Sequence, residues 1–387
     1  MRVLRLLLMA LVVVSFANAQ QSIDKSQEVV AGEIEAADLS EPDASELAKA
    51  NNGDQRSLAA LKELEKGNDL WRSGEIKESS ACFQREINLD PSFYSAQFNL
   101  GLSHLYTKQY GRAVQAFTVA LRLRPESVSA WQSLGFAHYY RKQYGKALEA
   151  FRKAHRLAPE EAVTNNNLGF AYLFVSQLQD AIASFQNALK FDSGFGPALN
   201  GLCSAQALAK NANYAVEACL NAASNDPDAA APLYFLGLAY MDLGQLEKGL
   251  AALQQASRIE PRTARIQVGL GFAFFRLKKY REALKHFEQA RRLNAKAQHA
   301  LLGLGVSYAQ LKDYNKAEGV LREAVSSDPD NPVARFNLGI VCLVRRHRDC
   351  ALSQYNHLKI MDHAFAKTLF TTMFRDRVVD ASRLKNP

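Results

Sequence analysis

A period of 34 residues constrains this chain more than any other feature. The stretch Val128–Pro159 sets Trp131, Leu134, Gly135 and His138 on one face of a helix, and Ala147, Phe151 and Ala154 on one face of a second. Shifted by 34, the Gly135 position becomes Gly67, Gly101, Gly169, Cys203, Gly237, Gly271, Gly305 and Gly339. Glycine supplies 21 of 387 residues, so eight in nine at one phase marks a repeated unit. The Phe151 column reads Phe83, Phe117, Phe185, Cys219, Leu253, Phe287, Leu321 and Tyr355, and the closing column holds Pro91, Pro125, Pro159, Pro227, Pro261 and Pro329. Glycine and alanine where two helices cross allow close approach, and an aromatic beside the crossing fills the wedge. One such pair cannot bury its apolar stripe alone, whereas stacked pairs can.

The pattern W-x2-L-G-x2-Y, A-x3-F, P at this period resembles the tetratricopeptide repeat (TPR) family. The resemblance implies an all-α, right-handed superhelical solenoid of nine helix pairs over residues 58–363, with residues 364–387 as a capping helix and tail. In that helix Leu369, Phe370, Met373, Phe374 and Val378 share the apolar side. The segment ALSQYNHLKIMDHAFAKTLF is similar to the closing part of many bacterial members.

Ahead of the repeats, Arg2 and Arg5 precede the apolar run Leu6–Val14 and then Ala17-Asn18-Ala19. That order reads as an export signal over residues 1–19, cut before Gln20 and placing the chain in the periplasm or outside the cell. The run is too short to span a bilayer, so any membrane contact is peripheral. Residues 20–57 read as a flexible acidic linker, with a helical tendency at 44–50. Residues 20–55 carry −7 and the signal +2, so the remainder must carry +13 to give the total of +8. A basic array suits an acidic partner or its own acidic arm folding back, although solvated lysines on outer helix faces give the same count.

No catalytic constellation stands out: HExxH and GxSxG are both absent, and neither an enzyme activity, a cofactor nor a nucleic-acid partner is expected. The glycines of GLGF and GLGV lie inside repeat helices, which denies them a phosphate-cradling role. Cys342, His347, Cys350, His357 and His363 crowd near Asp349 and Asp362, but Arg345, Arg346 and Arg348 would repel a cation, and no metal is expected there. Cys203 and Cys219 replace the glycine and the phenylalanine that face each other in repeat five, which makes them a candidate disulfide. Cys342 and Cys350 straddle the turn of repeat nine and form a second, leaving Cys82 over.

The resemblance implies that first helices line the inner surface. Positions opposite the stripe that faces the partner helix are Phe98, Asn99, Tyr106, Gln132, Phe136, Tyr139, Tyr140, Asn166, Asn167, Phe170 and Phe174. Rings beside amides suit a peptide, the rings burying its side chains and the amides holding its backbone, although rings at these positions also pack between repeats. The set by which some members grip a C-terminal carboxylate is incomplete. Asn68 and Asn99 fit two places, but Leu64, Ser129 and Ser133 stand where Lys or Arg is needed. The expected function is a non-enzymatic scaffold of the cell envelope that binds a protein or peptide. The alternative is a regulatory or substrate-presenting subunit of an envelope complex.

Overall fold

The computed structural model describes residues 39–42, 44–51, 54–294 and 298–383. The expected export signal, most of the linker and the last four residues lie outside the described residues. Those described form twenty helices and no strand. Eighteen are nine consecutive helix pairs, from Gln55–Arg72 with Ile76–Leu89 to Pro332–Val344 with Arg348–Met361. From Tyr94 onward each first helix starts 34 residues after the last, at Val128, Ala162, Gly196, Ala230, Ala264, Gln298 and Pro332.

Close approach at the glycine column holds each pair together. A Cβ on Gly135 would lie 2.7 Å from the Phe151 ring, a distance no neighbouring atom tolerates. Phe83, Phe117, Phe185 and Phe287 are fully buried in the same role. Each first helix then turns through one residue with positive φ, at Gly74, Lys108, Lys142, Ser176, Lys210, Gly244, Lys278, Lys312 and Arg346. The turn after Val128–Tyr140 shows the hydrogen bonds that close it. Gln143 N–H donates to the His138 carbonyl at 2.9 Å and Lys142 N–H to that of Tyr139 at 2.7 Å, a Schellman closure. A left-handed residue without glycine is strained, yet six of the nine are basic, and a cation at a helix C-terminus is favoured by the helix dipole.

The described chain divides into two compact units, the first ending at Ala205 and the second beginning at Gln206. The division falls within the first helix of repeat five, Gly196–Leu208. In the first unit the core runs through repeats one to four, with Phe98, Phe117, Phe136 and Phe151 in one cluster. In the second, the last repeat is completed from outside. Tyr355 occupies the phenylalanine column but leaves Gly339 uncovered and packs beside Phe370, with ring centroids 5.5 Å apart. Leu369 of the helix His363–Arg383 takes the place under Gly339, 2.7 Å from where a Cβ would be. Leu369 and Ala366 are buried, and Phe365 lies 4.9 Å from Phe336. The side chains of Phe374 and Val378 lie outside those described.

In the segment expected to be linker, the helical tendency at 44–50 is realised and the repeats begin earlier than residue 58. Residues 44–51 are a helix, the first repeat helix already starts at Gln55, capped by Asp54, and Leu39 packs against the core cluster of Leu64, Phe83 and Leu100.

Candidate functional site

First helices of repeats two and three touch each other across the repeat boundary, as do those of repeats six to nine. They therefore form the inner wall of each unit, as expected, but that wall is not open along the expected face. From Tyr94 to Leu105 every residue except His104 is buried. A first helix meets the second helices of its own and the preceding repeat and its neighbouring first helices, so it is apolar nearly all round. Counting away from one buried stripe therefore lands on a second. Phe98, Asn99, Phe136, Tyr139, Asn166, Asn167 and Phe170 are all buried. Phe136 stands edge-on to Phe151 at 5.1 Å, and Phe170 does the same to Phe185 at 5.0 Å. The hollow between Phe136, Tyr139, Asn167, Phe170 and Phe174 has a volume of about 10 Å³. That is room for one water and for no peptide side chain. Six of these positions are packing residues, which corrects the expectation of a ligand-lining wall there, while Asn99 is covered by the chain's own Ser40.

What stays open is one column, the last residue of the first helix: Tyr106, 55% exposed, with Tyr140 and Phe174 half-buried. Gln132, also half-buried, donates to Thr164 Oγ1 at 3.2 Å. Rings meet along this edge from repeat to repeat. Trp71 is edge-on to Tyr106 at 5.7 Å, Tyr110 stacks on Tyr140 at 5.0 Å, and Tyr139 lies 4.4 Å from Phe174. Burial first, then neighbouring Tyr110, pushes the Tyr140 phenol up to about 12, so it stays a neutral donor. On the outer side of repeats three and four a cleft of about 890 Å³ is lined by Trp131, Tyr172, Lys146, Arg152, Lys153 and Arg156 against the acids Glu149 and Asp180. This cleft carries the local basic excess.

The innermost site of the first unit is occupied by the chain itself. Ser40 N–H donates to Asn99 Oδ1 at 2.8 Å, and Asn99 Nδ2 donates to the Ser40 carbonyl at 3.0 Å and to Asn68 Oδ1 at 3.2 Å. Glu46 is buried and accepts from Ser95 N–H at 3.2 Å and Ser95 Oγ at 3.0 Å. Beneath it lies the fully buried Glu86, whose two carboxyl oxygens have no hydrogen-bond partner. Burial first, then the charges of Glu46, Asp90 and Glu63, pushes Glu86 up to about 9, so it is neutral at pH 7. Sequence reasoning set Asn99 in the groove, but nothing in residues 20–57 pointed to Ser40 as what it holds.

The cysteine and histidine crowd of repeat nine separates into two structures. Cys342 and Cys350 form a disulfide with Cα atoms 5.9 Å apart. Glu318, 7% exposed, receives Arg345 at 2.6 Å, Arg322 at 2.7 Å and His347 Nδ1 at 3.1 Å. Burial alone would raise its pKa, but hydrogen bonds from Arg322 and Arg345 hold it below the usual carboxylate range. Glu318 lies within 4.8 Å of both sulfurs, yet sulfurs joined in a disulfide are not thiolate ligands. The cluster is an ion-pair joint between repeats eight and nine. Cys203 and Cys219 are also disulfide-bonded, and Cys82 is a free, buried thiol.

Family models match the chain almost end to end through the repeats. One, described as the cilia and flagella-associated protein 70 C-terminal domain, spans residues 162–363; two tetratricopeptide repeat models span 64–127 and 128–161. Among solved structures, the APC/C hetero-tetramer Cut9–Hcn1 is similar at 18% identity and TM-score 0.56, covering 81% of this chain and 76% of that one. A tetratricopeptide repeat protein from Parabacteroides merdae is similar at 15% identity and TM-score 0.54, covering 65% of this chain and 99% of that one. Likeness at these identities concerns the fold. No curated protein matches the chain.

Proposed function

Because the chain belongs to the tetratricopeptide repeat family, a fold that serves as a protein-interaction scaffold, we propose that it binds a protein or peptide partner along the aromatic edge of repeats two to four. Tyr106, Tyr140 and Phe174 supply apolar contact area and Gln132 a polar contact. The observation that carries this reading is Tyr106, a ring 55% exposed in a column whose neighbours are stacked across repeats. Large rings on such an edge are typical anchors, each worth at least ~2 kcal/mol when a partner buries it. The chain acts without chemistry of its own. It is exported by residues 1–19 and works in the cell envelope from a mature start at Gln20, which N-terminal sequencing of the natural protein tests. Among the described residues no helix is long and apolar enough to cross a membrane.

The test compares two rings. Partners captured from an envelope extract on the full chain are identified, and the tightest is titrated against Tyr106→Ala and Phe136→Ala. Tyr106→Ala is expected to weaken binding about tenfold or more with an unchanged melting temperature. Phe136→Ala is expected to lose about 3–5 kcal/mol of stability, while its folded fraction keeps its affinity. Unchanged affinity in Tyr106→Ala would overturn the reading.

A further inference from the structure

The groove formed by repeats one and two holds a peptide already, and that peptide belongs to this chain. Asn99, with no exposed surface, takes both polar groups of the Ser40 peptide unit, its N–H and its carbonyl. Two hydrogen bonds from one amide side chain, one accepted and one donated, read the backbone of a non-helical residue and ignore its side chain. Six residues later the chain delivers a carboxylate to a place that lacks one. The helix Tyr94–Tyr106 has Phe93 at its N-cap, and Phe93 has no group with which to cap it. Ser127 and Asn331 cap Val128–Tyr140 and Pro332–Val344 with their own side chains, whereas Ala162–Phe174, Ala230–Asp242 and Ala264–Arg276 share the uncapped start. Glu46 supplies the missing acceptor to the backbone N–H and hydroxyl of Ser95, at the positive end of the helix dipole. At the margins Glu41 pairs with Arg72 at 3.0 Å and Lys49 reaches Ser92 at 2.6 Å.

We propose that the segment of residues 39–42 and 44–51 is an internal pseudo-ligand that occludes a second binding site, and that this site takes an acidic peptide with a non-helical residue at Asn99 and a carboxylate presented from a helical turn at Ser95. Asn99 grips the incoming backbone, and Ser95 with the open helix end receives a carboxylate, as they hold Ser40 and Glu46. This rests on the scaffold reading above but concerns different residues. The contacts described include ones of the displaceable kind, the hydrogen bonds of Ser40 with Asn99 and of Glu46 with Ser95 and exposed ion pairs at the rim, with Leu39 as an apolar anchor. Polar docking of this sort is weak between separate molecules. Attachment at Gln55, a few residues beyond Asn51, raises the effective concentration of the arm to the order of mM. An arm whose intrinsic Kd lies about tenfold below that concentration is bound about nine-tenths of the time, and a partner must outcompete it.

The test uses a fluorescent peptide of residues 39–51 and the full chain, read by anisotropy. Ser40→Pro removes the N–H that Asn99 accepts, and Glu46→Ala removes the capping carboxylate; both lie on the arm and leave the repeats intact. Each is expected to bind the peptide at least tenfold more tightly than the unaltered chain. A peptide carrying Glu46→Lys is expected to lose that binding, a control that leaves the repeats untouched. Adding Asn99→Ala to Ser40→Pro is expected to abolish binding in protein whose circular dichroism is unchanged. Equal affinity for the unaltered chain and both arm variants, or equal binding of the Glu46→Lys peptide, would overturn the proposal. The partner titration against Tyr106→Ala is independent, so either reading can fall alone.

Discussion

At one end of the repeats the helix Ala44–Asn51 lies against the array through Glu46 on Ser95, with Ser40 on Asn99 just ahead of it. At the other, the helix His363–Arg383 lies against repeat nine through Leu369 under Gly339 and Phe365 beside Phe336. The C-terminal helix covers surface that a further repeat would have covered, whereas the N-terminal segment lies in the groove of repeats one and two. The C-terminal contact buries apolar side chains where the array offers an unfilled phenylalanine socket, and water regains nothing by its opening. The N-terminal contact exchanges hydrogen bonds that water or another peptide can also make. Apolar closure makes a cap that is part of the fold, while polar closure makes an occupant that can leave.

That difference can be broken or sharpened at four places. Leu369→Ala is expected to have the largest effect, about 2–5 kcal/mol lost from the second unit by denaturant melting. A loss below about 1 kcal/mol would make the C-terminal helix as dispensable as the arm. Next is the acid buried under the arm. Glu86 holds a proton in the folded chain up to about pH 9, while its ordinary value is 4.5. The folded state therefore binds more protons between these values. Stability is full below about pH 4.5, declines by up to about 1.4 kcal/mol per unit as pH rises, and levels off above about 9. Glu86→Gln is expected to flatten that decline in the first unit; an unaltered slope would show that another group causes it. Third, Glu46→Ala is expected to cost the first unit only about 0.5–1.5 kcal/mol, far less than Leu369→Ala costs the second, while speeding proteolysis of the arm. Smallest is Lys142→Gly. Relief of left-handed strain is offset by a freer unfolded chain, so a change within about 0.5 kcal/mol in either direction is expected, by thermal melting. A loss above 1 kcal/mol would give the Lys142 side chain a role beyond the turn.

The repeats were legible because glycine, alanine and phenylalanine recur where helix crossing leaves little choice. Val128, at the head of the repeating unit, is the first residue of its helix in the structure. The aromatic groove was not legible, because a 3.6-residue count assumes one buried face and these first helices have more than one. Tyr106 and Phe136 look alike in sequence, and only the neighbouring second helix distinguishes a ring on the rim from a ring over Phe151. The recurrent left-handed turns were also hidden, since lysine holds five of the nine where glycine would have announced them. Charge offered the arm's folding back as one reading, but where it docks was hidden for a different reason. Its composition is that of a linker, and its docking depends on single atoms, an amide at Ser40 and a carboxylate at Glu46, that no hydrophobic period reports.

The central claim, an arm held loosely on a firmly closed array, is tested most directly by native-state hydrogen exchange on the full chain. The account predicts that the Ser40 and Ser95 amides exchange through a local opening well below the stability of the first unit, and that Ser40→Pro speeds Ser95 further, while the Leu369 amide exchanges only as repeat nine unfolds. Ser40 and Ser95 protected as strongly as the core of repeat two, with Ser95 unmoved by Ser40→Pro, would contradict it.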